Sequence, residues 1–270
     1  MLSIKCHDII VTTSRKKGRC MDKIYETLIE RIPNDLIAEE VAFGDVWLVV
    51  KSSCGAGAAS VFESNHAIGR APEYEGRTLK ELAMLIDSSI PVEQGISMAA
   101  INAYYNQFDR IKELEEKGIL TIDETGNSFV EYGQLAAGKD VAFVGHFCGL
   151  EMHMTRVNSI SILEKRPQNG DLPAEMCDEV LPGKDYVFMT GATLANNTAT
   201  HLLELCNRDE KTKAIFVGPT TTLSEILFEF GASELAGTII TDPDAAIEAA
   251  LSPDHMSIFG TGQKLRIIKA

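Results

Sequence analysis

The chain has 270 residues, 45% hydrophobic and 24% charged, which is enough apolar sequence for one large or two medium cores. Its 39 acidic and 25 basic residues give a formal net charge of −14, so its field repels phosphate backbones and anionic membranes. We therefore expect neither a nucleic acid nor a membrane as partner. The six cysteines form no CxxC pair, and neither a signal peptide nor an apolar run of about 20 residues is evident, so we expect a cytoplasmic protein.

The first half of the chain predicts a small α+β domain. Residues 21–32 have apolar positions at helical spacing, which predicts a helix. Residues 37–50 and 54–62 are rich in β-branched and small side chains, which favours strands of an antiparallel sheet. Strands that come first and helices that follow are typical of an α+β domain.

Three helical segments follow these strands. A helix over 77–87 begins at a capping box, because Thr78 is followed three residues later by Glu81. Helical patterns continue over 92–106 and 107–117.

The helix over 92–106 is apolar except for a few polar positions. Glu93 and Ser97 share one face, and Asn102 follows them. A solvated helix face and an interdomain cleft both explain these positions.

The second half alternates strands with helices. The polar stretch at 123–128 is the boundary region, so we divide the chain into domains at 1–132 and 133–270. Near-continuous apolar runs predict strands that helices cover on both faces, as in a doubly wound parallel sheet. These runs lie at 140–147, 159–165, 185–190, 214–219 and 237–242. Helical patterns include 198–206 and 222–231, the second with a capping box formed by Thr222 and Glu225.

Three polar loops follow strands of this sheet. They are GHFCGLEMH at 145–153, TGATLANNT at 190–198 and GPTTT at 218–222. The carboxyl ends of parallel strands meet at one edge, where such sheets bind ligands. Hydroxyl, amide and helix-start N–H groups can bind an anionic or polar ligand there without fixed positive charge. Alternatively, each of these residues only caps its own helix.

An acidic residue lies where nucleotide-binding α/β proteins place a ligand for ribose hydroxyls. Glu164 ends the second of these strands, 19 residues after Gly145. The first loop reads VGHFCGLE rather than GxGxxG, which disfavours a standard NAD site. A solvated strand end explains Glu164 equally well.

Nitrogen and sulfur donors cluster after the first of these strands. His146, Cys148 and His153 lie within one short segment, and soft or borderline metals prefer such donors. Their spacing matches no zinc motif, and packing is the usual role of an isolated His or Cys. His146 is the strongest candidate of the three, because it follows the glycine that ends the strand.

Several segments carry a family resemblance. They are residues 76–103, DVAFVGHF at 140–147, ILEKRPQNGDLPAE at 162–175, TGATLANNT at 190–198, and FVGPTTTLSEILFEFG at 216–231. These segments resemble a family of bacterial and archaeal proteins labelled "putative heavy-metal chelation". The resemblance covers most of the chain. It implies an α/β protein of two domains, a small α+β domain similar to the enolase amino-terminal domain and a Rossmann-like doubly wound domain, with the active site between them.

The resemblance and the loop positions together select the candidate site residues. We expect catalytic roles for His146 and Glu164, and metal ligation by His146 and Cys148. The expected ligand-binding residues are Gly145, Arg166, Thr190, Gly191, Thr193, Asn196, Gly218, Pro219 and Thr220. Enolase chemistry itself is excluded, because the chain lacks the eightfold strand and helix repeat of a barrel.

Three functional hypotheses follow. The first is a small-ligand or metal-complex site in the interdomain cleft, with a role in heavy-metal chelation. The second is a transferase that uses an adenosyl cofactor to make a metal chelator, with Glu164 on the ribose. The third is a non-catalytic protein that binds or delivers a heavy or transition metal ion. The sequence leaves open the reaction, the ligand, the metal and whether the chain forms a homodimer.

Overall fold

The computed structural model describes residues 21–61, 68–123, 128–147, 149–254 and 256–270. Within these ranges the chain forms a four-stranded antiparallel sheet and an eight-stranded, mostly parallel sheet. This arrangement confirms the predicted α/β class with two sheets. Among the described helices, none is both long and apolar enough to cross a bilayer.

The first unit contains the smaller sheet, with strand order β3-β2-β1-β4. Its strands are β1 (Ala38–Phe43), β2 (Trp47–Ser52), β3 (Gly55–Ser60) and β4 (Gly69–Arg70). The accompanying helices are α1 (Lys23–Glu30), α2 (Leu79–Ala83), α3 (Pro91–Tyr105) and α4 (Phe108–Glu116).

The helices of this unit begin where their sequences predict. The Thr78 side chain accepts from the Glu81 backbone N–H, and the Glu81 carboxylate accepts from the Thr78 backbone N–H, so the predicted capping box is confirmed. Asp22 caps α1 through the Ile24 N–H. Pro91 begins α3, where its missing N–H leaves no helical hydrogen bond unmade.

Helix α3 lies very close to strand β3. A Cβ atom added to Gly57 would lie 2.2 Å from both the Ala103 nitrogen and the Ala99 oxygen. The glycine and alanine sequence of β3 therefore lets the helix backbone approach the sheet directly. Most of α3 is buried as a result, which explains why its sequence is apolar on nearly every face.

The second unit contains the larger sheet. Its strands are β5 (Leu120–Asp123), β6 (Asp140–Val144), β7 (Ser159–Glu164), β8 (Leu172–Pro173), β9 (Tyr186–Thr190), β10 (Lys213–Val217), β11 (Glu234–Ile240) and β12 (Gly262–Lys269). The helices between them are α5 (Ser128–Leu135), α6 (Leu150–His153), α7 (Cys177–Val180), α8 (Ala192–Ala195), α9 (Ala199–Cys206), α10 (Ile226–Glu229) and α11 (Pro243–Leu251).

The strand order of the larger sheet is β5-β12-β11-β10-β9-β6-β7-β8. Strands β6 to β11 are parallel to one another, whereas β12 and β5 are antiparallel to their neighbours. After β6 the chain first builds the sheet to one side and then returns to build it on the other, so the order reverses between β6 and β9. Such a reversal opens a crevice beyond the carboxyl ends of the two strands. Strand β5 also belongs to this sheet, although the division at 132/133 places it in the first domain.

The predicted capping box in 222–231 is wrong. Helix α10 begins later, after Glu225, and no side chain caps it. Thr222 is fully buried, and its hydroxyl donates to Asn102 Oδ1 in α3 at 2.7 Å. The Thr222 side chain therefore contacts the first unit and does not cap α10.

A continuous apolar core joins the two units. One buried cluster includes Leu48 and Ile96 of the first unit together with Leu194, Leu223 and Ile239 of the second. The two sheets are therefore packed into one body, and their relative position is fixed by buried contacts.

Candidate functional site

A cleft of about 510 Å³ lies beyond the carboxyl ends of β6, β9 and β10, against the start of β2. Both sheets contribute to its walls. Its lining residues are Val46, Trp47, Ser60, Phe129, His146, Phe147, Thr190, Val217, Gly218, Pro219, Thr220, Ala236, Gly237, Thr238, Met256, Phe259 and Lys264. The volume falls in the range of about 300–1,000 Å³ that small-molecule sites occupy.

Five predicted site residues line this cleft. His146 follows β6, Thr190 ends β9, and Gly218, Pro219 and Thr220 follow β10. Because these parallel strands are neighbours, their carboxyl ends bring three sequence-distant loops to one place.

His146 is held in position by a carboxylate that the sequence did not identify. Its Nδ1 atom lies 3.1 and 3.2 Å from the two oxygens of Asp171. The Asp171 side chain is only 2% exposed, and it also accepts the Gln168 N–H at 2.9 Å. Because Nδ1 is hydrogen-bonded to Asp171, Nε2 is the ring nitrogen that remains available to a ligand. Within the described ranges, Nε2 has no hydrogen-bond partner.

Glu164 stabilises the backbone beside His146 rather than lining the cleft. Its carboxylate accepts the backbone N–H of His146 at 3.0 Å and that of Arg166 at 3.1 Å. The Arg166 side chain is exposed and lies outside the cleft lining. Glu164 therefore fixes the backbone that carries His146.

Gly145 makes the turn between β6 and His146. Its φ of +104° belongs to the region that favours glycine, and an added Cβ would lie 2.9 Å from Thr190 Cγ2. A side chain at this position would therefore strain the backbone and crowd the end of β9. The glycine is needed for the geometry of the site and does not itself line the cleft.

In the second loop, residues 190–198, most of the predicted ligand-binding residues stabilise the loop itself. The Thr193 hydroxyl donates to the Thr190 carbonyl at 2.8 Å. The Asn196 amide, oriented to satisfy its neighbours, donates to Thr193 O and accepts from Lys165 Nζ at 3.0 Å. A Cβ atom on Gly191 would lie 2.4 Å from the Thr221 nitrogen. These three predicted ligand-binding residues fix the loop, and of its members only Thr190 lines the cleft.

The third loop is attached to the first unit by hydrogen bonds. Thr220 Oγ1 accepts the Ser60 N–H at 2.9 Å, and Asn102 Nδ2 donates to the Thr220 carbonyl at 3.1 Å. Directly after α3, Asn106 Nδ2 donates to the Thr221 carbonyl at 2.9 Å, and its oxygen accepts the Leu223 N–H at 2.8 Å. The Thr220 side chain and the backbone of this loop therefore join the loop to the first unit.

Aromatic side chains form the apolar walls of the cleft. Trp47 and Phe259 meet edge to face, with ring centroids 5.9 Å apart. Phe129 and Phe147 form a second such pair at 5.3 Å. Lys264 Nζ lies 5.0 Å from the Phe259 ring centroid. These residues could not be predicted from the sequence, because they come from elements distant in the chain and share no motif.

Of the two predicted metal ligands, the structure describes His146. Cys148 lies outside the described residues, and the His146 ring makes its polar contact with Asp171. Within the described ranges, no group of three His, Cys, Asp or Glu side chains is placed to hold a metal ion. His146 therefore offers one metal ligand in this part of the chain.

Comparisons with known proteins agree with this architecture. A solved structure from Desulfitobacterium hafniense, a DUF364 family protein of unknown function, is 32% identical, with a TM-score of 0.80 over 91% of this chain and 98% of that one. A second, from Pyrococcus horikoshii, is 20% identical, with a TM-score of 0.69 over 92% and 98%, and shares the fold. An uncharacterized protein of Methanocaldococcus jannaschii is 30% identical over 180 residues, which is 63% of this chain and 64%, less than two thirds, of that relative.

Two family profiles match the chain, and both are described as "Putative heavy-metal chelation". DUF4213 matches residues 25–105, and DUF364 matches residues 128–269. These matches confirm the resemblance seen in the sequence. Since the second match alone spans more than half of the chain, the protein belongs to the DUF364 family.

Proposed function

We propose that the cleft binds a metal complex, in which a metal ion arrives as cargo with a small organic chelator and His146 supplies one further ligand. The observation that carries this proposal is the pair of His146 and Asp171 at the edge of an otherwise largely apolar cleft.

The geometry of His146 suits a metal ligand. A histidine that binds metal through one ring nitrogen usually donates its other N–H to a carboxylate, which fixes the ring and makes it more basic. Asp171 provides this contact through a nearly inaccessible carboxylate. The same arrangement also suits proton transfer to or from a bound ligand.

The number of ligands favours a complex over a bare ion. A structural zinc site in a protein, for example, takes about four ligands. His146 provides one, and the described residues offer no group of three. A metal ion held in the cleft would therefore bring most of its ligands with it, and the aromatic walls would contact the organic part.

The geometry gives less support to a transferase that uses an adenosyl cofactor. That hypothesis needs Glu164 to bind ribose hydroxyls. Instead, the Glu164 carboxylate accepts two backbone N–H groups and lies outside the cleft lining.

Calorimetric titration of the untagged protein tests the proposal. The probe is Ni²⁺ nitrilotriacetate, an anionic chelate that leaves coordination positions open, and NiCl₂ serves as the bare-ion comparison. We expect the chelate to bind more tightly than the bare ion, and we expect His146→Ala to lose this binding. Chelate binding that Cys148→Ser leaves unchanged indicates a site with His146 alone, whereas chelate binding that Cys148→Ser weakens indicates a site that also uses this thiol.

His201→Ala is the matched control. His201 also pairs with an aspartate, Asp178, at 3.0 Å, but both side chains are more than half exposed on the surface. Its removal should leave chelate binding unchanged. If the parent protein binds no chelate, or if His146→Ala and His201→Ala have equal effects, the proposal is wrong.

A further inference from the structure

We infer that the ligand of this cleft is an amphipathic organic anion, whose acidic group binds Lys264 and whose flat apolar body lies against Trp47 and Phe259. The inference rests on the proposed function, because it takes the cleft as the ligand site. It adds the chemical class of the organic component.

His146 and Lys264 lie at opposite ends of the cleft. His146 follows β6, whereas Lys264 lies in β12, and the order β6-β9-β10-β11-β12 separates them by four strand spacings. At about 4.8 Å per spacing, the two backbones are roughly 19 Å apart. One ligand that contacts both ends must therefore be elongated, with different chemistry at its two ends.

Lys264 is suited to bind an anion. Its ammonium group lies over the Phe259 ring, and no carboxylate within the described ranges lies close enough to form an ion pair with it. The side chain is exposed at the cleft, in a protein whose formal net charge is −14. An anionic ligand is therefore repelled by most of the molecule and attracted at this point.

Part of the surface between the two ends has little side-chain bulk. Gly218, Ala236 and Gly237 contribute little or no side chain to the lining. Trp47 and Phe259 provide rings on the same side as Lys264. A planar hydrocarbon or aromatic body can therefore lie against this surface, while its acidic group reaches the ammonium group.

Fluorescence titration with two matched probes tests the inference. One is 1-anilinonaphthalene-8-sulfonate, a flat aromatic anion, and the other is N-phenyl-1-naphthylamine, which has the same ring system without the charge. Trp47 is the single tryptophan of the chain, so energy transfer from it reports a probe bound in this cleft. We expect the parent protein to bind the anion more tightly than the neutral probe.

Removal of the positive charge of Lys264 should lower the affinity for the anionic probe only. Lys264→Gln should weaken the anionic probe about five-fold, the upper range for an exposed ion pair, and leave the neutral probe unchanged. Lys264→Arg should keep the affinity. Lys213→Gln removes an exposed lysine from the start of β10, at the other end of that strand, and should change neither probe.

The outcomes separate this inference from the proposed function. If Lys264→Gln weakens both probes equally, or neither, the inference is wrong whatever the nickel chelate does. If the anionic probe depends on Lys264 but the chelate does not depend on His146, the inference stands and the metal-complex proposal fails.

Discussion

The orientation of His146 depends on Asp171, which lies 25 residues away in the chain. We expect Asp171→Asn to weaken binding of Ni²⁺ nitrilotriacetate about 10- to 100-fold, as changes to the outer partner of a metal-binding histidine do. The amide carries no charge to hold the ring and support its basicity. Calorimetric titration measures the effect.

Asp178→Asn provides the control for this substitution. It changes the carboxylate of the exposed His201 pair, so we expect the affinity for the chelate to stay at the parent value. Equal affinities of Asp171→Asn and the parent protein would show that Asp171 does not position His146 for binding.

The loops after β9 and β10 pack closely at Gly191, where there is no room for a side chain. A Cβ at this position would lie 2.4 Å from the Thr221 nitrogen and 2.7 Å from the Thr220 carbonyl carbon, both backbone atoms. We expect Gly191→Ala to lower the free energy of unfolding by about 1–3 kcal/mol, the usual effect of overpacking. Urea denaturation measures it.

Gly260→Ala is the matched control, because an added Cβ there meets no atom within 4 Å. Its free energy of unfolding should stay close to that of the parent. A Gly191→Ala variant as stable as Gly260→Ala would contradict the packing seen between these loops.

Single residues of the site were predictable where their position followed from a strand end. His146, Thr190 and Gly218 were found in this way, because an apolar run and a following polar loop locate the edge of a parallel sheet. Asp171 was not found, since it lies in a polar loop without periodicity and meets His146 only through the fold. Glu164 was found as a residue of interest, but its partners are backbone N–H groups, which sequence does not show.

At the scale of elements, Asn102 in α3 and Asn106 directly after this helix join the two units. Each is buried, and each makes hydrogen bonds to backbone groups of the loop after β10. We expect Asn106→Ala to lower the free energy of unfolding by roughly 1–3 kcal/mol for each buried backbone group left unpaired. Urea denaturation checks this value.

Asn34→Ala removes the amide of an exposed asparagine and serves as the comparison. It should change the free energy of unfolding by less than about 0.5 kcal/mol. If Asn106→Ala were equally mild, the buried hydrogen bonds could not be what holds the loop.

Asp140 makes the attachment of β6 to β7 dependent on pH. Hydrogen bonds from Ser159 and then from Asn158 lower the pKa of its carboxyl group. The stabilisation is therefore present above the ordinary aspartate pKa and is lost as the pH falls through the lowered folded-state pKa. We expect Asp140→Asn to be less stable than the parent protein at pH 5–7, and the difference to shrink below about pH 4.

Urea denaturation of both proteins over a series of pH values measures this difference. Asp209→Asn provides a control, because it removes the same charge from a carboxylate that accepts the backbone N–H of Lys211. A gap between parent and Asp140→Asn that widens on acidification would contradict the assignment.

The elements of the larger sheet were predictable where they are apolar and covered on both faces. The runs at β6, β7, β9, β10 and β11 were identified for this reason. The sheet also contains strands that the sequence did not predict, among them β8 and the antiparallel β12. β8 has only two residues, and Lys264 and Arg266 interrupt the apolar residues of β12, so neither strand shows a continuous apolar run.

At the scale of the whole molecule, the cleft exists without any movement of the two units. A single buried cluster contains residues of both, and the hydrogen bonds of Asn102 and Asn106 cross between them. The fixed packing supports a preformed cleft, which a ligand enters without the free-energy cost of domain closure.

The overall architecture followed from sequence because several independent patterns agreed. The change from small antiparallel strands to alternating strands and helices separated the two sheets, and the resemblance to the DUF364 family is confirmed. The location of the cleft followed from the sheet, since parallel strands bring their carboxyl ends together. Its aromatic walls did not follow, because Trp47, Phe129 and Phe259 meet only after both units are packed.

The proposal that His146 binds the metal of a complex in the cleft is tested most directly in a crystal soaked with Ni²⁺ nitrilotriacetate. Anomalous scattering at the nickel edge locates the metal. We expect a peak inside the cleft, about 2.0–2.1 Å from His146 Nε2, the usual distance between a metal ion and a histidine nitrogen. A crystal with nickel only at exposed histidines such as His201, and none in the cleft, would contradict the account.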